Sequence, residues 1–143
     1  MQRFVVIPAV HVLFLRRDRV LLARRCNTGY EDGSFSVPAG HLDGDETART
    51  AAVREATEEI GVTVAPADVG FGHVMHRRAD DGERIDFFFV VEHWEGEPRI
   101  TEPELCDELR WADPGCLPAN TVRYVRAGIE RTLAGQPFSE FGW

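Results

Sequence analysis

Residues 40–62 read GHLDGDETARTAAVREATEEIGV, a loop with glycine and aspartate followed by a run rich in alanine and glutamate. The run from about Thr47 to Ile60 predicts an α-helix, and Gly61 supplies the glycine that commonly ends one. At about 100° per residue, a single arc of the helix collects four apolar side chains: Ala52, Val53, Ala56 and Ile60. We expect that arc to pack against the core.

A second face of this helix gathers three carboxylates, at positions i, i+3 and i+4: Glu55, Glu58 and Glu59. Ala48 and Ala51 are expected to leave open space around them. A solvated acidic face is the simpler explanation of such a cluster. Two observations favour a bound cation instead, because only Arg54 lies close as a countercharge and the helix dipole disfavours anions near a C-terminus. Carboxylate oxygens suit Mg²⁺ or Mn²⁺, whereas zinc favours histidine and cysteine.

Outside this helix, the hydrophobic pattern predicts short strands separated by polar turns. The turns Arg17-Asp18 and Asp80-Asp81-Gly82 each join two strands into a hairpin. The predicted elements, by residue number, are strands at 10–16, 19–25, 35–37, 71–78, 85–94 and 109–112, and a final helix from 120 or 121 to 133. Strands and helices in this order, without a repeat or a linker, predict one α/β sandwich domain over residues 1–143.

The charge and composition exclude several classes of function. A formal net charge of −8 repels nucleic acid, so a long polynucleotide is not an expected partner. The apolar run at residues 4–15 contains Pro8 and His11 and is too short to span a bilayer, so we expect neither an export signal nor a membrane anchor. Three cysteines without close pairing are typical of a reduced, cytoplasmic protein, and we assign them no chemical role.

Two parts of the opening segment carry a family resemblance. Residues 40–46, GHLDGDE, and 54–62, REATEEIGV, resemble the box of the Nudix hydrolases at every fixed position. The chance of a coincidental match is on the order of 10⁻⁸ per start point. Two positions depart from the family pattern, because Ala39 stands where many members have glycine and Leu105 where close relatives often have lysine. Neither departure removes a carboxylate. Further segments resemble the MutT-like branch of small nucleotide-cleaving enzymes: residues 21–25, 35–41, 102–106, 109–111 and 117–118.

The resemblance implies a Nudix-type α/β/α sandwich, in which a mixed sheet carries the box helix on one face and the C-terminal helix on the other. It implies a hydrolase that acts on phosphoric anhydride bonds with Mg²⁺, or with Mn²⁺ in its place. The expected partner is a small nucleotide or another diphosphate compound. Separately from the resemblance, the aromatic tail at residues 137–143 could cap the core, close over the pocket or pair two subunits into a homodimer, and the sequence leaves that choice open.

The resemblance also implies a set of metal ligands. Glu55 and Glu59 are expected to bind the metal, with Glu58 joining them or holding a second ion, and Gly40 is expected to contribute its carbonyl oxygen. Either of two glutamates in an acidic loop, Glu102 or Glu104, could add a ligand, although a solvated loop explains them at least as well.

Other charged residues of the box have two interpretations each. Arg54 either orients Glu55 through a charge-assisted hydrogen bond or forms a surface pair with Glu58. Glu46 is expected to fix the loop by accepting backbone N–H groups rather than to take part in catalysis. The general base that activates water is Glu55 or Glu58, and the sequence leaves that choice open.

The substrate side is less well defined. Alternation along a strand places only one of Arg24 and Arg25 on the side of the site, and the resemblance favours Arg25 as a phosphate ligand. His41, inside the box, is expected to contact the substrate. His73 and His76, with the phenylalanines at 87–89, could line a base pocket, but core packing is the simpler explanation for most of those phenylalanines.

The leading hypothesis is hydrolysis of a nucleoside triphosphate, including a modified or oxidised one, to the monophosphate and pyrophosphate. A first alternative applies the same chemistry to ADP-ribose, a nucleotide sugar or a prenyl diphosphate. ADP-ribose is the less favoured of these, because enzymes that cleave it tend to carry a proline soon after the box and none lies between Pro66 and Pro98. A second alternative is a catalytically silent domain that senses a nucleotide, although such domains usually lose box carboxylates.

Overall fold

A computed structural model describes residues 1–143 and contains an eight-stranded sheet with two α-helices. Two short 3₁₀ turns, Pro66–Asp68 and Pro114–Cys116, complete the regular structure. The strands are β1 (Ile7–Arg16), β2 (Arg19–Arg25), β3 (Phe35–Ser36), β4 (Ala39–His41), β5 (Gly70–Ala79), β6 (Gly82–Val91), β7 (Cys106–Ala112) and β8 (Phe138–Phe141). The helices are α1 (Ala48–Ile60) and α2 (Arg123–Leu133).

Strand β1 lies at the centre of a mixed sheet. It runs parallel to β6, with Val10 opposite Phe87, and antiparallel to β4, with Val10 opposite Gly40. The end of β1 pairs with β2, which continues outward to β3 and to β7. On the other side, β6 continues to β5 and then to β8. Because β4 joins the centre of the sheet directly, the glycine-rich loop that follows it starts beside the core.

The two helices cover opposite faces of this sheet, so the predicted α/β/α sandwich is confirmed. Side chains alternate along β1, with Val12 packing in the cluster beneath α1 and Leu13 in the cluster beneath α2. In β6, Phe89 packs on the α1 side and Phe88 on the α2 side. Each face therefore has its own hydrophobic cluster, and the site-bearing helix is anchored independently of the C-terminal one.

Both predicted hairpins are present. The first turn consists of Arg17 (φ 52°) and Asp18 (φ 62°), the two left-handed residues that a tight type I′ turn requires. In the second hairpin, β5 and β6 are longer than predicted at their start, and β6 ends at Val91 rather than at residue 94.

Helix α1 matches its prediction closely. The Thr47 hydroxyl accepts a hydrogen bond from the Thr50 N–H at 3.1 Å, and Gly61 ends the helix in the left-handed conformation (φ 68°). The open space expected beside Ala51 is not present, because Ala51 is fully buried. Val53, which was expected in the core, is only partly buried. Helix α1 is rotated so that its core-facing stripe is wider on the Ala51 side, which also buries most of Glu55.

Two elements differ from expectation at the C-terminal half of the chain. Strand β7 starts at Cys106 rather than at residue 109, because its acidic first residues pair with β2 despite their poor strand propensity. The segment 138–141, predicted only as an aromatic tail, forms the edge strand β8. Its Ser139 hydroxyl and the Gln136 carbonyl hold the two ring nitrogens of buried His73 at 2.7 and 2.6 Å.

The three cysteines are not joined by disulfide bonds. Neither helix has the length and apolar character needed to cross a membrane.

Candidate active site

The centre of the site is the contact between Gly40 on β4 and Glu55 on α1. A methyl group placed on Gly40 would lie 2.1 Å from the Glu55 Oε1 atom, far inside van der Waals distance. Only glycine allows the helix carboxylate to approach the β4 backbone this closely. Glu55 is 8% exposed, so its carboxylate is held at the boundary between the core and the loop.

Glu59 lies next to Glu55 on the same face of the helix. Its Oε2 atom accepts a hydrogen bond from the Ala39 N–H at 3.0 Å. Burial raises the pKa of Glu59 well above its ordinary value, and the negative charge of Glu55 raises it further. Burial also raises the pKa of Glu55, against the Arg54 guanidinium, which lowers it. Two partly buried carboxylates thus share a space in which positive charge is scarce.

Arg54 is the cation that organises this face. Its Nη1 atom donates to Glu55 at 2.7 Å and to Glu58 at 3.4 Å, so both alternatives considered from the sequence occur together. Its Nε and Nη2 atoms donate to the two oxygens of Glu46 at 3.2 and 2.8 Å. The Asp43 N–H donates to Glu46 at 2.9 Å, so Glu46 fixes the loop as predicted. Hydrogen bonds from Arg54 and Asp43 hold the pKa of Glu46 below its ordinary value.

The donor set is entirely oxygen, which fits a hard divalent cation. No three acidic, histidine or cysteine side chains are close enough together to enclose an ion by themselves. Glu55 and Glu59 form the nucleus of the set, while the Glu58 side chain is 54% exposed beside Arg54. Burial raises the pKa of both carboxylates and each lies beside the other's negative charge, so a divalent cation would stabilise their ionised forms and the residues present fit a metal.

The two candidate ligands from the acidic loop lie in different places. Glu102 is close enough to Glu59 for its negative charge to contribute to the raised pKa of Glu59. The Glu104 side chain is exposed, and its carbonyl accepts from Asn27 at 3.2 Å. Glu102 is therefore the better placed of the two.

A cavity of about 680 Å³ opens directly beside Gly40 and His41. It lies where β4, the β5–β6 turn, the start of α2 and the loop before β3 meet. Arg25 lines it, whereas Arg24 points elsewhere and forms a bidentate pair with Asp107 at 2.7 and 3.1 Å. The structure thus brings Arg25 and His41, the two predicted substrate residues, to one cavity.

His73 and His76 do not line this cavity, which corrects their possible role in a base pocket. Hydrogen bonds to β8 and the preceding turn hold His73 in the core, and His76 pairs with Glu83 at 2.7 Å under the Trp143 ring.

Residues that the sequence did not indicate form the wall and floor of the cavity. Arg77 donates to the fully buried Asp86 at 2.7 and 3.3 Å and stacks on Tyr124, 3.7 Å from the ring centre. His11 Nε2 lies 3.1 Å from the Tyr124 hydroxyl, and burial lowers the pKa of His11 to about 4. The only signal in the sequence is the presence of His11 and Asp86 inside otherwise apolar strands.

The NUDIX domain matches residues 6–131 of the chain. The chain belongs to the NUDIX family. The 8-oxo-dGTP diphosphatase of Escherichia coli strain K12 is 29% identical to it over 90 residues, which are 63% of this chain and 68% of that protein. The NAD-capped RNA hydrolase of Stutzerimonas stutzeri is 30% identical over 129 residues. That match covers 89% of this chain but only 44% of the relative, so the NUDIX chain spans less than half of that enzyme.

Solved structures agree with the NUDIX fold. The crystal structure of a MutT NUDIX hydrolase from Burkholderia pseudomallei superposes with a TM-score of 0.80 at 24% identity. The match covers 89% of this chain and 98% of the other. The protein is therefore a NUDIX hydrolase of the MutT-like type that acts on phosphoric anhydride bonds, and the family generally uses a divalent metal.

Proposed function

We propose that the protein hydrolyses a nucleoside triphosphate, including a modified or oxidised one, to the monophosphate and pyrophosphate. The observation that carries the proposal is the cavity beside Gly40 and His41, which combines Arg25 with the aromatic side chains of Tyr30 and Tyr124. A guanidinium suits phosphate oxygens and aromatic rings suit a base. The similarity to 8-oxo-dGTP diphosphatases supports the same substrate class.

Glu55, Glu58 and Glu59 would hold Mg²⁺, with the Gly40 carbonyl and Glu102 as further ligands, and Mn²⁺ would serve in its place. When bound, the ion neutralises charge on the diphosphate and favours deprotonation of water. Arg54 fixes the direction of Glu55 by its 2.7 Å hydrogen bond. This hydrogen bond restrains the Glu55 carboxylate. The Glu58 side chain, by contrast, is exposed to solvent.

The reaction is a displacement at phosphorus. A water oxygen forms a bond to the phosphorus that becomes the monophosphate. The bond from that phosphorus to the bridging oxygen breaks, and pyrophosphate leaves with the bridging oxygen. Of the two candidates for general base, Glu58 is the more accessible to water and would accept the proton. Arg25 is held by the Tyr30 carbonyl at 2.8 Å and the Thr28 hydroxyl at 3.1 Å, which leaves it further N–H groups for the phosphates.

The test is the release of pyrophosphate or phosphate from nucleoside triphosphates, oxidised nucleotides, ADP-ribose, nucleotide sugars and prenyl diphosphates. We expect turnover of a nucleoside triphosphate with Mg²⁺, none with chelator, and a loss of about 100-fold or more in Glu59→Gln. Glu130→Gln, an exposed position on α2, is the matched control and should behave as wild type. Absence of turnover with both Mg²⁺ and Mn²⁺ would instead favour a nucleotide-sensing domain.

A second candidate is the diphosphate of a dinucleotide. The observation in its favour is the match to NAD-capped RNA hydrolases, which extends over 89% of the chain. The products distinguish the two candidates, because a cleaved dinucleotide gives two nucleoside monophosphates and no pyrophosphate.

A further inference from the structure

The Asp32 carboxylate makes three hydrogen bonds within the loop between β2 and β3. Asp32 Oδ1 accepts hydrogen bonds from the Thr28 N–H at 3.0 Å and the Thr28 hydroxyl at 2.6 Å, and Oδ2 accepts from the Gly29 N–H at 3.0 Å. These bonds hold the pKa of Asp32 below its ordinary value. The loop is closed at its base, where the Gly33 N–H donates to the Arg25 carbonyl at 2.7 Å. We therefore treat residues 27–34 as a preorganised clamp loop.

Tyr30 lies in this clamp loop and lines the cavity. Half of the residue is exposed, although a large aromatic ring in a loop gains stability when it is covered. The Arg25 guanidinium lies 5.3 Å from the centre of the Tyr30 ring and also donates to the Tyr30 carbonyl. The ring and the expected phosphate ligand are thus joined as one unit.

A second flat surface bounds the same cavity. The Arg77 guanidinium is fixed by Asp86 on one side and stacks on Tyr124 on the other. Tyr30 and Arg77 both line the cavity, one from the clamp loop and the other from β5. The cavity thus presents a planar ligand with an aromatic ring from the clamp loop, a guanidinium from β5 and a second aromatic ring from α2.

We propose that Tyr30 stacks on the nucleobase of the substrate and that Asp32 acts as a positioning residue for it. The inference rests on the proposed function and narrows it, because the substrate must then carry a planar heteroaromatic base next to the diphosphate. Prenyl diphosphates and base-free sugar phosphates have no such group. Stacking on an aromatic side chain strengthens binding by about 10- to 100-fold per base.

Equilibrium binding tests the stacking without turnover. The ligands are AMP, GMP and base-free ribose 5-phosphate, measured on the Glu59→Gln protein with and without Tyr30→Ala or Tyr30→Phe. Tyr30→Ala should weaken binding of the two nucleotides about 10- to 100-fold and leave ribose 5-phosphate unchanged, whereas Tyr30→Phe should stay within about threefold of the parent. Phe138→Ala is the matched control, since Phe138 is 56% exposed and lies outside the cavity.

Three results would overturn the inference: no measurable nucleotide binding to the parent, unchanged nucleotide binding after Tyr30→Ala, or an equal loss for ribose 5-phosphate. Each of these binding results can occur whether or not the protein hydrolyses a triphosphate. The binding experiment therefore tests the inference about Tyr30, and the turnover experiment tests the proposed function separately.

Kinetics test the role of Asp32. In the protein with an intact box, Asp32→Ala should raise the nucleotide KM in parallel with Tyr30→Ala and change kcat by less than about threefold, and Asp32→Asn should restore part of the loss because its amide oxygen still accepts. An Asp32→Ala effect confined to kcat or to thermal stability would contradict a positioning role.

Discussion

His11 illustrates how one buried side chain can make stability depend on pH. Burial lowers its pKa to about 4, with Arg77 and His41 acting in the same direction and Asp86 acting against it. The unfolded chain binds a proton at His11 below its ordinary pKa of 6.5, but the folded chain does not. Stability from this group is therefore complete at neutral pH and lost as the pH falls from 6.5 towards 4.

Between pH 7 and pH 5, we expect His11 to contribute a loss of about 2 kcal/mol to the free energy of unfolding. His11→Gln removes the titration but can still hydrogen bond with Tyr124, so the variant should be less sensitive to acid by that amount. Urea denaturation of both proteins at the two pH values measures the difference. Equal acid losses in the two proteins would show that His11 titrates normally in the fold.

The sequence is most informative about residues whose relation is local. The three glutamates of α1 could be placed on one face because helical spacing alone brings them together, and alternation along β2 separated Arg25 from Arg24. The cavity residues could not be predicted in this way. His11, Tyr30 and Tyr124 come from β1, a loop and α2, and only the completed sheet brings them together.

At the level of elements, the C-terminus of α1 shows how a helix can carry carboxylates where its dipole disfavours them. The loop before β7 supplies hydrogen-bond donors to the last turn. Arg99 donates to the Gly61 carbonyl at 3.1 Å, and the Thr101 hydroxyl donates to the Glu58 carbonyl. These contacts offset the partial negative charge at that end of the helix.

Removing one of these donors should lower stability measurably. We expect Thr101→Val to reduce the free energy of unfolding by about 1 kcal/mol, because the Glu58 carbonyl loses its side-chain partner while the size of residue 101 is unchanged. Thr101→Ser keeps the hydroxyl and should lie closer to wild type. Urea denaturation compares the three proteins, and a Val variant as stable as wild type would show that water replaces the hydroxyl without loss.

The ends of an element were predicted well where the sequence contains capping residues. They were predicted less well where pairing with a distant strand determines the end. Thr47 and Gly61 mark the ends of α1 in the sequence as clearly as in the structure. The start of β7 has no such mark, since Cys106, Asp107 and Glu108 become strand residues through their pairing with β2. Pairing with a distant strand is not encoded in the local pattern.

At the level of the whole molecule, the C-terminal strand β8 has no buried residue of its own but makes specific contacts with the core. Phe141 packs against the cluster beneath α2, and Ser139 hydrogen bonds to a histidine with no exposed surface. The sequence showed the aromatic residues here but not their parallel pairing with β5, because that register joins residues 64 positions apart, such as Val74 and Phe138.

Deleting residues 138–143 should therefore lower the free energy of unfolding by about 3 kcal/mol or more, through lost apolar burial and an unpaired His73 nitrogen. Deleting residues 2–5 is the matched control, since these residues are exposed and lie outside the regular elements. Thermal and urea denaturation give the comparison. Equal stability of the two truncated proteins would show that β8 contributes nothing to the fold.

The central position of β1 also bears on how the chain is made. Val10 lies opposite Phe87 in β6, and Val20 lies opposite Ala112 in β7. The pairing of β1 and β2 is therefore incomplete until β6 and β7 have been synthesised. The glutamate helix leaves the ribosome early, yet its apolar face has no complete sheet to cover it until those strands have emerged. During that interval the nascent chain is open to aggregation and to chaperones. Residues 40–62 are continuous in sequence, but the sheet that supports them is complete only after β6 and β7 have been translated.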